Sequence, residues 1–290
     1  MTESAYWGVS LRYRAPWTLT ALHLERMPMD TSLKVLCRCP NIVELKLGPE
    51  EGAHTVDPDL DALQTWFGGD LVFKRLEVFK WYYPAQDYTW EWMETFVQQV
   101  RMPVLHTLSI ITVEMDDPPV GEIGPLCQQL SATVKTLRLH GVVGFPRSSY
   151  PHFLASNSAL ESLTISRYEL ETIANITDSL LLIPYGPSKL PAPKLQSLVL
   201  DGKCAVWRGQ GRNRVFNEID SLEPPQFEAL VTMLERRLAR GDTFRLEFAG
   251  IFPEWSYSIQ ARLRKLVKED VKLVIIEASR PVDWLADAVE

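Results

Sequence analysis

The chain is poor in cysteine, with four in 290 residues. That excludes a fold held by disulfides, which needs a dense set of thiols in a small secreted domain. A reducing compartment, cytoplasmic or nuclear, is the expectation. No apolar run approaches the roughly 20 residues that a membrane-spanning helix requires. Residues 1–15 set Glu3, Arg12 and Arg14 among short apolar pieces and do not resemble a signal peptide, so no membrane partner is expected. Basic charge is scarce as well: 30 Lys and Arg against 37 Asp and Glu leave a net charge of −7. General nucleic-acid binding draws on a basic face that releases counterions, and this balance argues against it.

Chemistry-bearing motifs are also missing. His23, His54, His106, His140 and His152 make no H-x-x-x-H or H-E-x-x-H spacing, and there is no Gly-x-Ser-x-Gly elbow. Cys37 and Cys39 offer two thiolates where a structural zinc wants about four ligands, and neither Cys127 nor Cys204 brings a second ligand at the needed spacing. Gly209-Gln-Gly211 lacks the third glycine of a dinucleotide loop, because Arg214 stands in its place. The residues point away from an enzyme, and no catalytic, metal or cofactor site is expected.

What the chain does have is a phrase that returns. It reads Leu19-Thr-Ala-Leu22-His-Leu24, then Ile42-Val-Glu-Leu45-Lys-Leu47, Phe73-Lys-Arg-Leu76-Glu-Val78 and Leu105-His-Thr-Leu108-Ser-Ile110. It comes back as Val134-Lys-Thr-Leu137-Arg-Leu139, Leu160-Glu-Ser-Leu163-Thr-Ile165 and Leu195-Gln-Ser-Leu198-Val-Leu200, and more loosely as Thr243-Phe-Arg-Leu246-Glu-Phe248. In a strand the second Leu and the last apolar residue lie two apart, so both face one core and the residue between them faces away. This is the core of a leucine-rich repeat. The second-Leu anchors stand 23 to 48 residues apart, room for a strand, a turn, a helix and a return.

The intervening segments read as helices. Thr31–Cys37, Asp59–Phe67, Trp92–Val100 and Ile123–Leu130 carry apolar residues three or four apart. Pro224–Gly241 is the clearest, with prolines at its start, basic residues in its last turns and a glycine stop. A strand over 244–248, a helix over 257–268 and a strand over 271–276 follow. The expected organisation is an N-terminal cap over 1–16, repeats over 17–223 with an inserted polar loop at 201–223, and atypical repeats with a cap over 224–290. The fold class is α/β: an irregular solenoid, or horseshoe, with a parallel concave sheet and convex helices.

Cys39-Pro40-Asn41 followed by Ile42-Val-Glu-Leu45-Lys-Leu47 resembles the leucine-rich-repeat region of fungal F-box proteins, where such an element ends a helix just before a strand phrase. The similarity of pattern covers residues 17–276. It implies a module for protein recognition, the substrate-reading part of an F-box-like ubiquitin ligase receptor. A scaffold or regulatory repeat protein outside ubiquitination is the alternative. The ninth repeat position, often Asn or Cys in regular families, holds Met27, Glu50, Trp81, Val113, Val142, Tyr168 and Lys203, which implies an irregular solenoid. The F-box itself, a helical module opening with a Leu-Pro phrase, has no room before Trp17. A cullin adaptor is therefore a partner only if an F-box lies outside this chain.

The outward centres of the phrases are His23, Lys46, Glu77, Ser109, Arg138, Thr164, Val199 and Glu247. They suit a solvated sheet face and would form any concave binding surface. Trp81, Tyr82 and Tyr83 leave the third phrase, with Tyr88, Trp90 and Trp92 close behind. Two readings stay open for them: loop and helix packing, or an aromatic hot spot. Parallel strands put their outgoing loops on one rim, which gathers Trp81, Tyr82, Tyr83, Arg138, His140 and Arg167. The inserted loop brings Trp207, Arg208, Arg212 and Arg214 to the same rim. Arginines there would suit an acidic or phosphorylated protein or peptide partner.

Overall fold

The computed structural model describes residues 19–25, 27, 29–48, 71–83, 100–112, 133–141, 154, 157–166, 170–181, 192–201, 205–208, 215–218, 224–249, 256–269, 271–277 and 280–282. The cap expected over 1–16, the helices at 59–67 and 123–130 and all but the last residue of the one at 92–100 lie outside them.

The strands in chain order are β1 (Ala21–Glu25), β2 (Glu44–Gly48), β3 (Leu71–Val72), β4 (Val78–Tyr83), β5 (Val100–Arg101), β6 (Thr107–Thr112) and β7 (Thr136–His140). There follow β8 (Ser162–Ser166), β9 (Ser197–Asp201), β10 (Ala205–Arg208), β11 (Val215–Glu218), β12 (Phe244–Ala249), β13 (Val271–Glu277) and β14 (Arg280–Val282). One ten-stranded sheet runs β1-β2-β4-β6-β7-β8-β9-β12-β13-β14. Every pair in it is parallel except the last, β13 with β14.

The register follows the phrase. Leu22, Leu45, Phe79, Leu108, Leu137, Leu163, Leu198, Leu246 and Leu273 form one row across the sheet. Two residues on, Leu24, Leu47, Trp81, Ile110, Leu139, Ile165, Leu200 and Phe248 form a second row, each 4% exposed or less. A strand's period of two sends both rows into one core. Leu22 is only partly buried; among the described residues β1 ends the sheet and has a strand neighbour on one side alone.

One correction concerns the third phrase. The spacing pointed to Phe73, Leu76 and Val78, but the ladder pairs Leu45 with Phe79 and Leu47 with Trp81. The strand phrase is thus Leu76-Glu-Val-Phe79-Lys-Trp81, three residues later. Phe73 takes instead the turn position held by Cys39 and Met102, and all three are buried. Both alignments satisfy the same apolar spacing. The later one puts the two large rings of Phe79 and Trp81 inside, and burial of that much apolar surface decides between them.

Five strands of the large sheet, β2, β4, β6, β8 and β9, are entered through a β-turn. Ile42 N donates to Cys39 O, Leu76 N to Phe73 O, Leu105 N to Met102 O, Leu160 N to Asn157 O and Leu195 N to Ala192 O, at 3.0 to 3.5 Å. Pro40, Pro103 and Pro193 hold the first central position of three of these turns, where a fixed φ favours the bend. The end residues Ile42, Leu76, Leu105, Leu160 and Leu195 are 1% exposed or less, so each turn is nailed to the core.

The described helices are α1 (Met29–Leu36), α2 (Leu170–Leu181), α3 (Pro224–Leu238) and α4 (Tyr257–Lys268). α2 packs on α3, α3 on α4 and β12, and α4 on β13. α3 stops as its sequence suggests: Gly241, at φ 82°, donates to Leu238 O at 2.8 Å, the left-handed termination that glycine takes without strain. α4 is capped by Ser256, whose Oγ accepts from Ile259 N, and it buries Ile259, Leu263 and Leu266 on one stripe. The insertion is not wholly a loop. β10 and β11 pair antiparallel as a hairpin, with Trp207 opposite Phe216. Branched and aromatic residues on both sides of a glycine-containing segment favour such a ribbon. No helix among the described residues is long and apolar enough to cross a membrane.

Candidate functional site

The sheet face opposite the core carries the polar residues of each strand. Three outward rows cross β6, β7 and β8 in register. Thr107, Thr136 and Ser162 form the first, Ser109, Arg138 and Thr164 the second, and Ile111, His140 and Ser166 the third. This middle of the face is rich in hydroxyls and holds no carboxylate on those strands. Arg138 is exposed and has no ion pair among the described residues. Ser109 beside it is only 5% exposed. His140 Nδ1 lies 2.8 Å from Ser166 Oγ, and Gly141 N donates to Ser166 O at 2.8 Å, which fixes the end of β7 against β8.

The first strands present charge of both signs that cancels locally. Lys80 donates to Glu44 at 2.7 Å, His23 stands 3.9 Å from the same carboxylate, and Lys46 pairs with Glu25. The bond and charge of Lys80 hold the Glu44 carboxyl below its ordinary range. Lys46 is pushed the other way, towards staying protonated, first by its bond to Glu25 and then by Tyr82. Its ammonium also lies 4.8 Å from the centre of the Tyr82 ring. Where the strands begin, His106 lies 3.4 Å from Glu77 and Lys135 3.0 Å from Glu161. Arg245 is joined to Glu247 at the far side. Among the described residues Arg138, without an ion pair, stands apart from this pairing.

The expected site residues are not all where the sequence placed them. Trp81 is no rim contact: its side chain is 1% exposed and packs against Phe79 with ring centres 5.4 Å apart. The three-residue shift of the third phrase turns it inward. By the same shift Lys80, rather than Glu77, is the outward centre of β4. Tyr82 stays on the open face, half-buried, as do His140 and the exposed Arg138. Arg167, Arg212 and Arg214 lie outside the described residues, and Tyr83, Trp207 and Arg208 are described in their backbone alone. The hydroxyl rows went unnoticed in the sequence because only one outward residue per phrase was considered. The residues two before and two after it share that face by the same alternation.

Cys37 is half-buried and Cys39 buried, and burial pushes both thiols up from their ordinary range. No protein-family model matches the chain, and no curated protein matches it.

Proposed function

We propose that the chain is an irregular leucine-rich-repeat solenoid whose concave sheet face recognises a protein or peptide partner, without catalysis. The observation that carries this reading is Arg138, an exposed guanidinium with no ion pair among the described residues, at the centre of a hydroxyl-lined face. Nine strands in one register make such a face broad and stiff, and a preorganised surface loses little entropy on binding. The partner we propose is acidic, held by Arg138 and His140 with Tyr82 at the edge of the contact. Tyr83, Arg167, Trp207, Arg208, Arg212 and Arg214 stay in this proposal on their sequence positions alone. Trp81 drops out.

Within this function we favour substrate recognition for a ubiquitin ligase, on the resemblance carried by Cys39-Pro40-Asn41. A scaffold role makes the same use of the face and differs only in lacking an F-box and its cullin adaptor. A photo-cross-linking amino acid at Thr136 or Thr164 tests the site itself. We expect protein adducts from these positions and none from Tyr257, which is 93% exposed on α4. Equal labelling from all three would remove the open face as the site.

A further inference from the structure

We propose that the patch around Arg138 is a phosphate-reading site, and that its ligand is a phosphorylated serine or threonine within a protein segment. The inference rests on the protein-recognition reading above and goes further by naming what the centre of the face reads.

The argument begins with donors. On β6, β7 and β8 the outward side chains beside Arg138 are Ser109 and Thr164 in its own row and Thr107, Thr136 and Ser162 in the row before. Neighbouring strands lie roughly 4.8 Å apart and outward residues along a strand roughly 7 Å apart, so these hydroxyl-bearing positions neighbour Arg138 on the face, the Thr107 hydroxyl standing 3.0 Å from His106 Nδ1. Ser109 is 5% exposed, yet its hydroxyl has no side-chain partner among the described residues. It sits as a donor on the floor of the patch, and a polar group so placed gains from a ligand that reaches it.

Geometry then separates the two acidic chemistries. A carboxylate offers two coplanar oxygens, which one guanidinium fork satisfies by itself. A phosphoryl group offers three acceptor oxygens in a tripod and close to two negative charges. It has a use for the fork together with the hydroxyls on either side. The face matches that charge, since no outward residue on these three strands is acidic. Glu161, which precedes β8, is held by Lys135 at 3.0 Å, and Asp201 lies two strands from Arg138, beyond Ser166. Lys46 and Lys80 are already bound to Glu25 and Glu44, so they do not compete for the same ligand.

The experiment is a titration of the full chain with three short peptide pools of identical randomised flanks. Their central residue is phosphoserine, serine or aspartate, and anionic vesicles form a fourth arm. We expect the phosphoserine pool to bind at least about tenfold more tightly than the other two, as charge-assisted bonds to a dianion allow. Arg138→Ala should abolish that preference and Arg138→Lys should restore only part of it, because an ammonium lacks the fork. Ser109→Ala should weaken the phosphoserine pool alone. Lys272→Ala, on the same face at β13, should change nothing. Equal binding of the aspartate and phosphoserine pools overturns the phosphate reading and leaves protein recognition standing. So does an absence of pool binding while Thr136 and Thr164 still cross-link a protein. Binding to vesicles in place of peptides overturns both.

Discussion

The guanidinium of Arg237, fully buried on α3, donates to the carbonyl of Ala192 at 3.2 Å and to that of Leu195 at 3.1 Å. Those carbonyls belong to the β-turn that leads into β9, and Ala192 holds that turn at φ 43°. One side chain therefore ties a helix of the last third to the strand entry of the preceding phrase. Burial pushes the Arg237 pKa down to about 10, and the ring of Phe244 lies 5.6 Å from the guanidinium carbon. Arg237→Ala should cost about 2–4 kcal/mol, from the Leu195 carbonyl losing this donor, the Ala192 carbonyl keeping only its turn bond, and a cavity. Arg237→Lys should recover little, since one ammonium does not span both acceptors. Urea unfolding of the two variants checks this.

The α3–α4 contact makes a prediction about pH. Arg262 on α4 binds Glu235 through Nε and Nη2 at 2.8 and 2.7 Å and also reaches Glu228 and Thr232. The bond to Arg262 lowers the Glu235 pKa from its ordinary 4.5. A carboxyl lowered in the folded state binds fewer protons there than in the unfolded chain, so its contribution is complete above pH 4.5 and fades as pH falls through the lower folded value. Glu235 is 41% exposed, and solvent screening keeps the gain below about 1 kcal/mol. Thermal unfolding of Glu235→Gln should show a deficit at pH 7 that shrinks as pH falls below 4.5. A deficit that does not shrink on acidification would mean the carboxylate charge is not its source.

Trp81 shows how far the sequence could be read. The phrase placed seven strands correctly because Leu-x-Leu or Leu-x-Ile in six of them, and Leu246-Glu-Phe248 in β12, gives one unambiguous inward pair. The third phrase failed because Phe73, Leu76, Phe79 and Trp81 satisfy the spacing in two overlapping frames, and the sequence holds nothing local that chooses between them. Cross-strand pairing chooses, and it is long-range. Trp81→Ala should therefore cost about 3–5 kcal/mol, as loss of a fully buried indole does, whereas Glu77→Ala should change stability by about 0.5 kcal/mol or less. Chemical denaturation of both variants decides between the frames, and a larger effect at Glu77 would restore the earlier one.

The candidate site was legible in its centre and not in its surroundings. Arg138 follows from one position in one phrase. The hydroxyls around it become neighbours only when β6, β7 and β8 align, and the charge cancellation at Glu44 depends on Lys80, not Glu77, being the outward centre of β4. The helix at Leu170–Leu181 was missed although Leu170, Ile173, Ile176 and Leu180 mark it at helical spacing. The β10–β11 hairpin is hidden in the sequence because its apolar residues are few and polar residues dominate the local composition.

Gly48 and Tyr82 are coupled in a way that can be measured. They lie on β2 and β4, one step beyond the pair Leu47–Trp81. A Cβ placed on Gly48 would come within 3.1 Å of Tyr82 Cβ, closer than packed carbons sit. The atom it meets is anchored to the β4 backbone, so relief requires the strand to move and not a side chain to swing. Gly48→Ala should cost about 1–2 kcal/mol as an overpacked site. It should also loosen the Tyr82 ring from Lys46, which lies 4.8 Å from its centre. Tyr82→Gly removes the opposing Cβ. In the double variant the two losses should fall short of their sum by about 0.5–1 kcal/mol, the signature of residues in direct contact. Additive losses would show that β2 and β4 are spaced more widely at this point, and Gly48 would then be an ordinary strand glycine.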